Sequence, residues 1–329
     1  MQHNNISART LRLIGTALFV AALTACQDVP DFGAVRAEQA RTLHRYDTFQ
    51  AAASNGTVMV AGTSTGTLVS SIDGGAVWRR HQLPGAASIV SIATCPNGSF
   101  AALDFYRKVW LADAAAQSWT SRDIKTSDNV TAITCSAGNR LWVVGSRTRI
   151  LSSADMGTTW TAQQAGEDAI LTTVQFLDER HGHITGEFGI HLATRDGGAT
   201  WVKQPKLPGD FYPYATVFKD QNHAWASGVA GVLLSTNDGG QTWVKQVNDA
   251  AVAIYGLAML GDAVYGVGFG GQVVALHDEA WKRYEHGKSI PAYLTAVAAH
   301  GGKALLVAGA AGALHVIAPA PRADVVAKQ

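Results

Sequence analysis

Apolar residues come in short runs that alternate with turn residues along almost the whole chain. VTAITC (130–135), LWVVG (141–145), RILSS (149–153) and WTAQQ (160–164) follow one another. They are split by Ser-Ala-Gly-Asn, Ser-Arg-Thr and Ala-Asp-Met-Gly. Runs this short, rich in β-branched and aromatic residues and bounded by turn formers, predict strands in hairpin succession. No stretch of useful length after residue 26 carries a helical period, so almost no helix is expected.

The pattern repeats. Trp78, Trp119, Trp160, Trp201, Trp243 and Trp281 are spaced by 41, 41, 41, 42 and 38 residues. Gly62, Asp104, Gly145, Gly186, Gly228, Gly268 and Gly309 close apolar runs at steps of 42, 41, 41, 42, 40 and 41. The starts of the preceding runs, from Phe49 to Leu294, also number seven. Units of about four strands at this period predict an all-β fold, a seven-bladed β-propeller of four-stranded blades.

Each tryptophan with a full motif closes the string S/T-x-D-x-G-x-x-W. The copies carry Asp73 and Trp78, Asp155 and Trp160, Asp196 and Trp201, and Asp238 and Trp243. This resembles the Asp-box, or BNR repeat, of β-propellers. Its Asp is placed to accept turn N–H groups, its Gly to take positive φ, and its Trp to open the outer strand and fill the space between blades. It reads as a folding element and not a ligand site. Blades two and six are degenerate: Ala114 and Leu276 stand at the Asp position, and their turns are expected to be the softest.

Seven such blades need roughly 287 residues, and the chain has 329. The propeller is placed at 43–318. The last unit lacks an outer strand of its own, and Leu43-His44-Arg45-Tyr46 resembles Trp281-Lys282-Arg283-Tyr284. Residues 43–48 are therefore expected to supply that strand and seal the ring, which removes exposed sheet edges. Residues 27–42 read as a tether and 319–329 as a disordered tail.

Residues 1–26 read as a targeting segment. Arg9 and Arg12 precede an apolar run, Leu13–Ala25, too short to span a bilayer comfortably. Leu23-Thr24-Ala25-Cys26 resembles the bacterial lipobox, which implies cleavage before Cys26 and its lipidation. The expected location is the cell envelope, lipid-anchored and facing the periplasm. Gln27 in place of Asp favours the outer membrane over the inner. Arg9 and Arg12 are the charged residues of this segment, so the formal charge of +1 becomes −1 without it. A near-neutral chain gives no reason to expect nucleic acid.

Cys95 and Cys135 lie one blade period apart at matching ends of first strands. A disulfide between adjacent blades and two buried free thiols both fit that spacing, and the thiols are the preferred reading.

Blade geometry sorts the loops. First-to-second and third-to-fourth turns share one face, with the Asp-boxes. Second-to-third turns and blade connections share the other, where ligand and partner sites usually sit. That second face holds Phe105, Tyr106, Arg107 and Lys108, then Arg147 and Arg149, then Glu187 and Phe188, and Phe269. The longest connections bring Phe211, Tyr212 and Tyr214, and Tyr293. Arginine beside exposed aromatics is the composition of protein-interface hot spots. Arg107, Arg147, Arg149, Phe188, Phe211, Tyr212, Tyr214 and Phe269 are the candidate partner-binding residues, set against the alternative of ordinary solvated loops. Replacing the three arginines by alanine is expected to abolish capture without lowering the melting temperature.

Gly266-Val267-Gly268-Phe269-Gly270-Gly271 precedes a strand and not a helix, so it lacks the context of a dinucleotide loop. His181 and His183, with Asp178 and Glu179, fall in a hairpin on the Asp-box face and read as surface residues; neither a metal nor a cofactor is expected. Asp-boxes are shared with sialidases, but no FRIP-like stretch is present and no Tyr–Glu pair can be placed by spacing. A carboxylate pair acting on glycans across blades stays open as the alternative.

The cadence G-x-x-G-x-x-x-x-S/T-x-D-G-G-x-x-W, as in Thr185 to Trp201, is similar to that of the photosystem II stability/assembly factor family of seven-bladed propellers. The resemblance spans roughly 43–318. It implies a non-catalytic lumenal propeller that holds an unassembled membrane protein through an arginine-rich patch, carried here to Arg107, Arg147 and Arg149. The lipobox departs from that family. The expectation is a monomeric envelope lipoprotein that binds or helps assemble a membrane protein or envelope complex.

Overall fold

A computed structural model describes residues 31–319. Cys26, the targeting segment and nearly all of the tail lie outside the described residues. A seven-residue helix, α1 (Gly33–Gln39), stands within the stretch read as a tether and belongs to a unit ending at Arg41. No helix of the described residues is long and apolar enough to cross a membrane.

Between Thr42 and residue 319 the chain forms seven sheets in simple succession, antiparallel but for one short pairing in the sixth. Blade one is β1 (Phe49–Ser54), β2 (Met59–Thr63), β3 (Thr67–Ser71) and β4 (Arg79–Gln82). Blade two is β5 (Ile89–Thr94), β6 (Phe100–Asp104), β7 (Lys108–Ala112) and β8 (Thr120–Asp123). Blade three is β9 (Val130–Ser136), β10 (Arg140–Gly145), β11 (Arg149–Ser153) and β12 (Thr161–Gln164). Blade four is β13 (Leu171–Phe176), β14 (Gly182–Gly186), β15 (His191–Thr194) and β16 (Val202–Lys203). Blade five is β17 (Pro213–Phe218), β18 (Ala224–Gly228), β19 (Leu233–Thr236) and β20 (Val244–Lys245). β21 (Val247–Asn248) joins blade six, running parallel to β25. Blade six is otherwise β22 (Ile254–Leu260), β23 (Ala263–Gly268), β24 (Val273–His277) and β25 (Ala280–Arg283). Among the described residues blade seven has three strands: β26 (Leu294–His300), β27 (Ala304–Gly309) and β28 (Leu314–Ile317).

Burial runs as a gradient across each blade. Second strands are buried along nearly their whole length, because neighbouring sheets cover both faces, and so they read as continuous apolar runs. Outer strands such as β8 are exposed at every residue. The apolar clusters lie between blades. Val60 and Leu68 meet Phe100 and Trp110 across blades one and two. Tyr265 and Val267 meet Leu305 and Val307 across six and seven. Blades four and five are the exception: buried His183 and His191 share a 3.1 Å contact there, and His183 stacks on Phe218 at 3.9 Å.

The Asp-boxes do what their residue types require. Oδ1 of Asp73, Asp155, Asp196 and Asp238 accepts the N–H of Val77, Thr159, Thr200 and Thr242, each at 2.9 Å. The Thr200 and Thr242 hydroxyls, then these N–H bonds and the Thr194 and Thr236 hydroxyls, hold the carboxyls of Asp196 and Asp238 down to about 2; for Asp155 the Thr159 N–H leads, followed by the Thr159 and Ser153 hydroxyls, to the same value. The second motif glycine has φ between 84° and 89° and packs on the preceding blade. A Cβ on Gly198 would stand 2.1 Å from Trp142, and one on Gly240 would stand 2.4 Å from His191. The box is thus an inter-blade joint as well as a turn. Trp78, Trp160, Trp201 and Trp243 are half-buried against the same joints. In blade six the box is replaced by a two-residue turn, Asp278–Glu279.

Two expectations are corrected here. Cys95 and Cys135 are joined in a disulfide, against the preference for free thiols. Residues 43–48 do not form the outer strand of blade seven. The N–H of His44 donates to Asp47 Oδ2 at 2.8 Å and that of Asp47 to the His44 carbonyl at 3.0 Å, which curls the segment into a turn. Buried Asp47 is then fixed by Arg80 through two bonds of 2.8 and 3.0 Å. The ring closes by packing instead, with Phe49, Met59 and Val69 against Leu306, Ala308 and Leu314. Thr295 Oγ1 also donates to the Phe49 carbonyl at 2.5 Å.

Candidate partner-binding face

The face opposite the Asp-boxes is built on two repeated backbone devices. The first is a β-bulge at the second residue of every first strand. Bulges re-aim a side chain, and here they form a ring: Gln50, Val90, Thr131, Thr172, Tyr214, Tyr255 and Thr295. Three threonines spend their hydroxyls on backbone carbonyls: Thr131 on Val144 and Leu171, Thr172 on Thr185, and Thr295 on Phe49. Tyr214 and Tyr255 instead meet edge to face at 5.6 Å, and Tyr212 adds a third ring 6.2 Å from Tyr214. Burial, reinforced by Glu187 and then Tyr214, raises the Tyr212 phenol above its usual range.

The second device is the turn between second and third strands. In blade four Glu187–Ile190 closes with a 3.2 Å bond and two residues at positive φ. Such turns favour Gly or Asn. Blade six uses Gly270 and Gly271, but blade four places Phe188 at φ 57° with its ring half exposed. Blade three places Arg147 at φ 55°, and blade two places Arg107 at φ 65°. An L-residue there costs on the order of 1 kcal/mol, so the choice of side chain is not dictated by the turn.

The arginines do not form one patch. Arg147 Nε donates to Asp128 Oδ1 at 2.6 Å, and its Nη2 donates to the same oxygen. Arg149 Nε donates to Asp128 Oδ2 at 2.7 Å. Burial of Asp128 works to raise its carboxyl, but the two guanidinium groups outweigh it and hold it below the usual range. One buried carboxylate therefore occupies two of the three cations. Arg107 stands beside exposed Phe105 and Tyr106.

The structure thus divides the sequence candidates. Phe188, Tyr214 and Phe269 are exposed on this face, and Tyr212 is half-buried beside Tyr214. Phe211 is a correction: it is buried, packed with Leu207, Ala226 and Leu234, and has no surface to offer. Asp128 and Tyr255 escaped the sequence reading. Both were signalled by position: Asp128 sits two residues before its first strand, as Asp47 does, and Tyr255 matches Tyr214. On the opposite face, His181 Nδ1 binds Asp178 at 2.8 Å while His183 turns inward onto Phe218, so the two histidines diverge. Among the described residues no group of three or more His, Cys, Asp or Glu is placed to hold a metal ion.

The family model of the photosynthesis system II assembly factor YCF48 matches residues 111–265. Over that stretch, just under half of the chain, the sequence is similar to the photosystem II assembly factor family. The match takes in blades three to five and with them Arg147, Phe188 and the Tyr212–Tyr214 pair. No curated protein matches the sequence. Among solved structures, YCF48 bound to a D1 peptide is similar at 15% identity and a TM-score of 0.68, covering 84% of this chain and 94% of that one. YCF48 from Cyanidioschyzon merolae is similar at 15% identity and a TM-score of 0.65, with coverage of 83% and 96%. A catalytically inactive virginiamycin B lyase from Staphylococcus aureus with quinupristin reaches 0.72 at 9% identity, with coverage of 84% and 96%. At these identities the structures speak for the propeller fold and for nothing finer.

Proposed function

We propose that this protein is a non-catalytic envelope lipoprotein that binds a segment of a membrane-protein partner and assists its assembly. The observation that carries the reading is Phe188, a large exposed aromatic held at positive φ where the turn favours glycine. With Tyr212, Tyr214, Tyr255, Phe269 and Arg107 it gives one face the composition of an interface hot spot. The YCF48 structure with a bound D1 peptide supports a polypeptide ligand. The anchor at Cys26 and the periplasm-facing location rest on the lipobox alone. Lipidation is tested by the mass of the mature amino terminus, and an unmodified Cys26 would refute it.

Binding is tested by capture from detergent-solubilised envelope with a variant carrying Arg107→Ala, Phe188→Ala and Phe269→Ala. Capture should fall at least tenfold while the melting temperature holds. Undiminished capture would sink the assignment. Arg147 and Arg149 are left out of this variant because their loss strands Asp128.

A further inference from the structure

One cavity on the Asp-box face is built from residues the repeat does not require. It lies between blades four and five, measures about 220 Å3, and is lined by His181, His183, Arg195, Gln221 and Asn222, with Asp238 beside them. His183 forms its buried wall and is 8% exposed. The equivalent place in the other second strands holds Val60, Ala101, Trp142, Trp225, Tyr265 and Leu306. Arg195 fills the free position of its Asp-box, where the other copies carry Ile72, Ala154 and Asn237.

One nitrogen of the 3.1 Å contact between His183 Nδ1 and His191 Nε2 must donate. His191 Nδ1 is sealed against Gly240 with no partner. A sealed lone pair is tolerated more readily than a sealed N–H, so His191 keeps its proton on Nε2 and donates it. Neutral His183 then carries its own proton on Nε2. That atom has no protein partner and is not sealed, so it opens on the cavity as a donor. Burial first, then the charges of His181 and Arg195, lower His183 to about 4 and keep it neutral. The nearby acids are already committed. Asp238 spends its oxygens on Thr236 and Thr242, and Asp178 spends its own on His181 and the Arg180 N–H. Arg195 accepts a bond from Arg180 at its carbonyl, and its guanidinium has no ion pair or hydrogen bond among the described residues.

We propose that this cavity binds a small polyhydroxylated carboxylate of sugar-acid size. Its carboxylate pairs with Arg195, whose planar fork suits two parallel bonds, and accepts the proton of His183 Nε2. Its hydroxyls meet the Gln221 and Asn222 amides, which both donate and accept. The volume is below the roughly 300 Å3 at which drug-sized sites begin, which limits the ligand to about one ring. Asp238 and, behind His181, Asp178 repel a doubly charged phosphate more than a single carboxylate. The site lies on the face away from the aromatic cluster and does not depend on what that cluster binds.

Titration calorimetry of the full chain at neutral pH with glucuronate, glucose and inorganic phosphate tests it. Glucuronate should bind, and glucose and phosphate should bind at least tenfold more weakly. Arg195→Gln, at an exposed position outside the Asp-box bonds, should weaken glucuronate at least tenfold with the melting temperature unchanged. Histidine nitrogen spectra of the unmutated chain should place the His183 proton on Nε2 and show that resonance move with glucuronate, while the ring of His223 stays still. Absence of glucuronate binding, equal affinity for glucose or phosphate, full affinity in Arg195→Gln, or a His183 proton on Nδ1 would each overturn the proposal.

Discussion

The two faces of the ring are made by the same strands, yet one is uniform and the other varied. On the Asp-box face four turns repeat the same carboxylate bond at 2.9 Å, and each sets a glycine against the blade before it. On the opposite face seven equivalent bulges carry Gln, Val, Thr, Thr, Tyr, Tyr and Thr on one backbone geometry. The difference teaches where to look for function in a repeat fold. Residues that recur are those the ring needs to hold its blades together. Residues that vary over an unvarying backbone are free to recognise something else.

The contrast can be broken in graded ways. The largest effect is expected from the Cys95–Cys135 disulfide, which ties blades two and three at their Asp-box ends. Closing a loop of this length contributes about 3–4 kcal/mol, so replacing both cysteines by alanine should lower the denaturant midpoint by that equivalent and leave partner capture intact. Next comes Arg147→Ala with Arg149→Ala. It leaves Asp128 buried and unpaired, at a cost of about 3 kcal/mol, readable as a fall in melting temperature. This reverses the expectation that all three arginines could be removed without loss of stability. Gly198→Ala should cost about 2–3 kcal/mol, through strain at φ 84° and the clash with Trp142. Gly74→Ala, whose Cβ would meet nothing within 4 Å, should cost about 1 kcal/mol.

Acid should find the joint between blades four and five first. Burial lowers His183 to about 4 and His191 to about 3. Both are neutral in the fold and protonate near 6.5 once unfolded, so their contribution is whole above pH 6.5 and is lost as pH falls below it. Thermal melts should show a loss on the order of 2 kcal/mol for each histidine between pH 7 and pH 5. The Asp-box carboxylates near 2 add a second loss only below about pH 4. A melting temperature flat from pH 7 to 5 would contradict the buried pair. The smallest effect is Arg107→Ala, which should leave stability within about 0.5 kcal/mol.

Blade number, strand order and the Asp-box bonds were legible because each is local and repeats. A 41-residue period counts blades, and Asp followed by Gly names its own turn. What stayed hidden depends on contacts across the repeat. Asp128 reads as an ordinary loop acid until the fold brings Arg147 and Arg149 onto it. Phe211 reads as a loop aromatic beside Tyr212, but the connection turns it inward. Residues 43–48 resemble a strand by composition, and a buried bond from Asp47 to Arg80 curls them instead.

Site-specific photocrosslinking measures the division between faces most directly. A benzophenone side chain would replace Phe188 or Phe269 on the varied face, and Ile72 or Val77, equally exposed, on the Asp-box face. Crosslinks to one membrane-protein segment should form from Phe188 and Phe269 and not from Ile72 or Val77. The same adduct from both faces, or from the Asp-box face alone, would contradict the account.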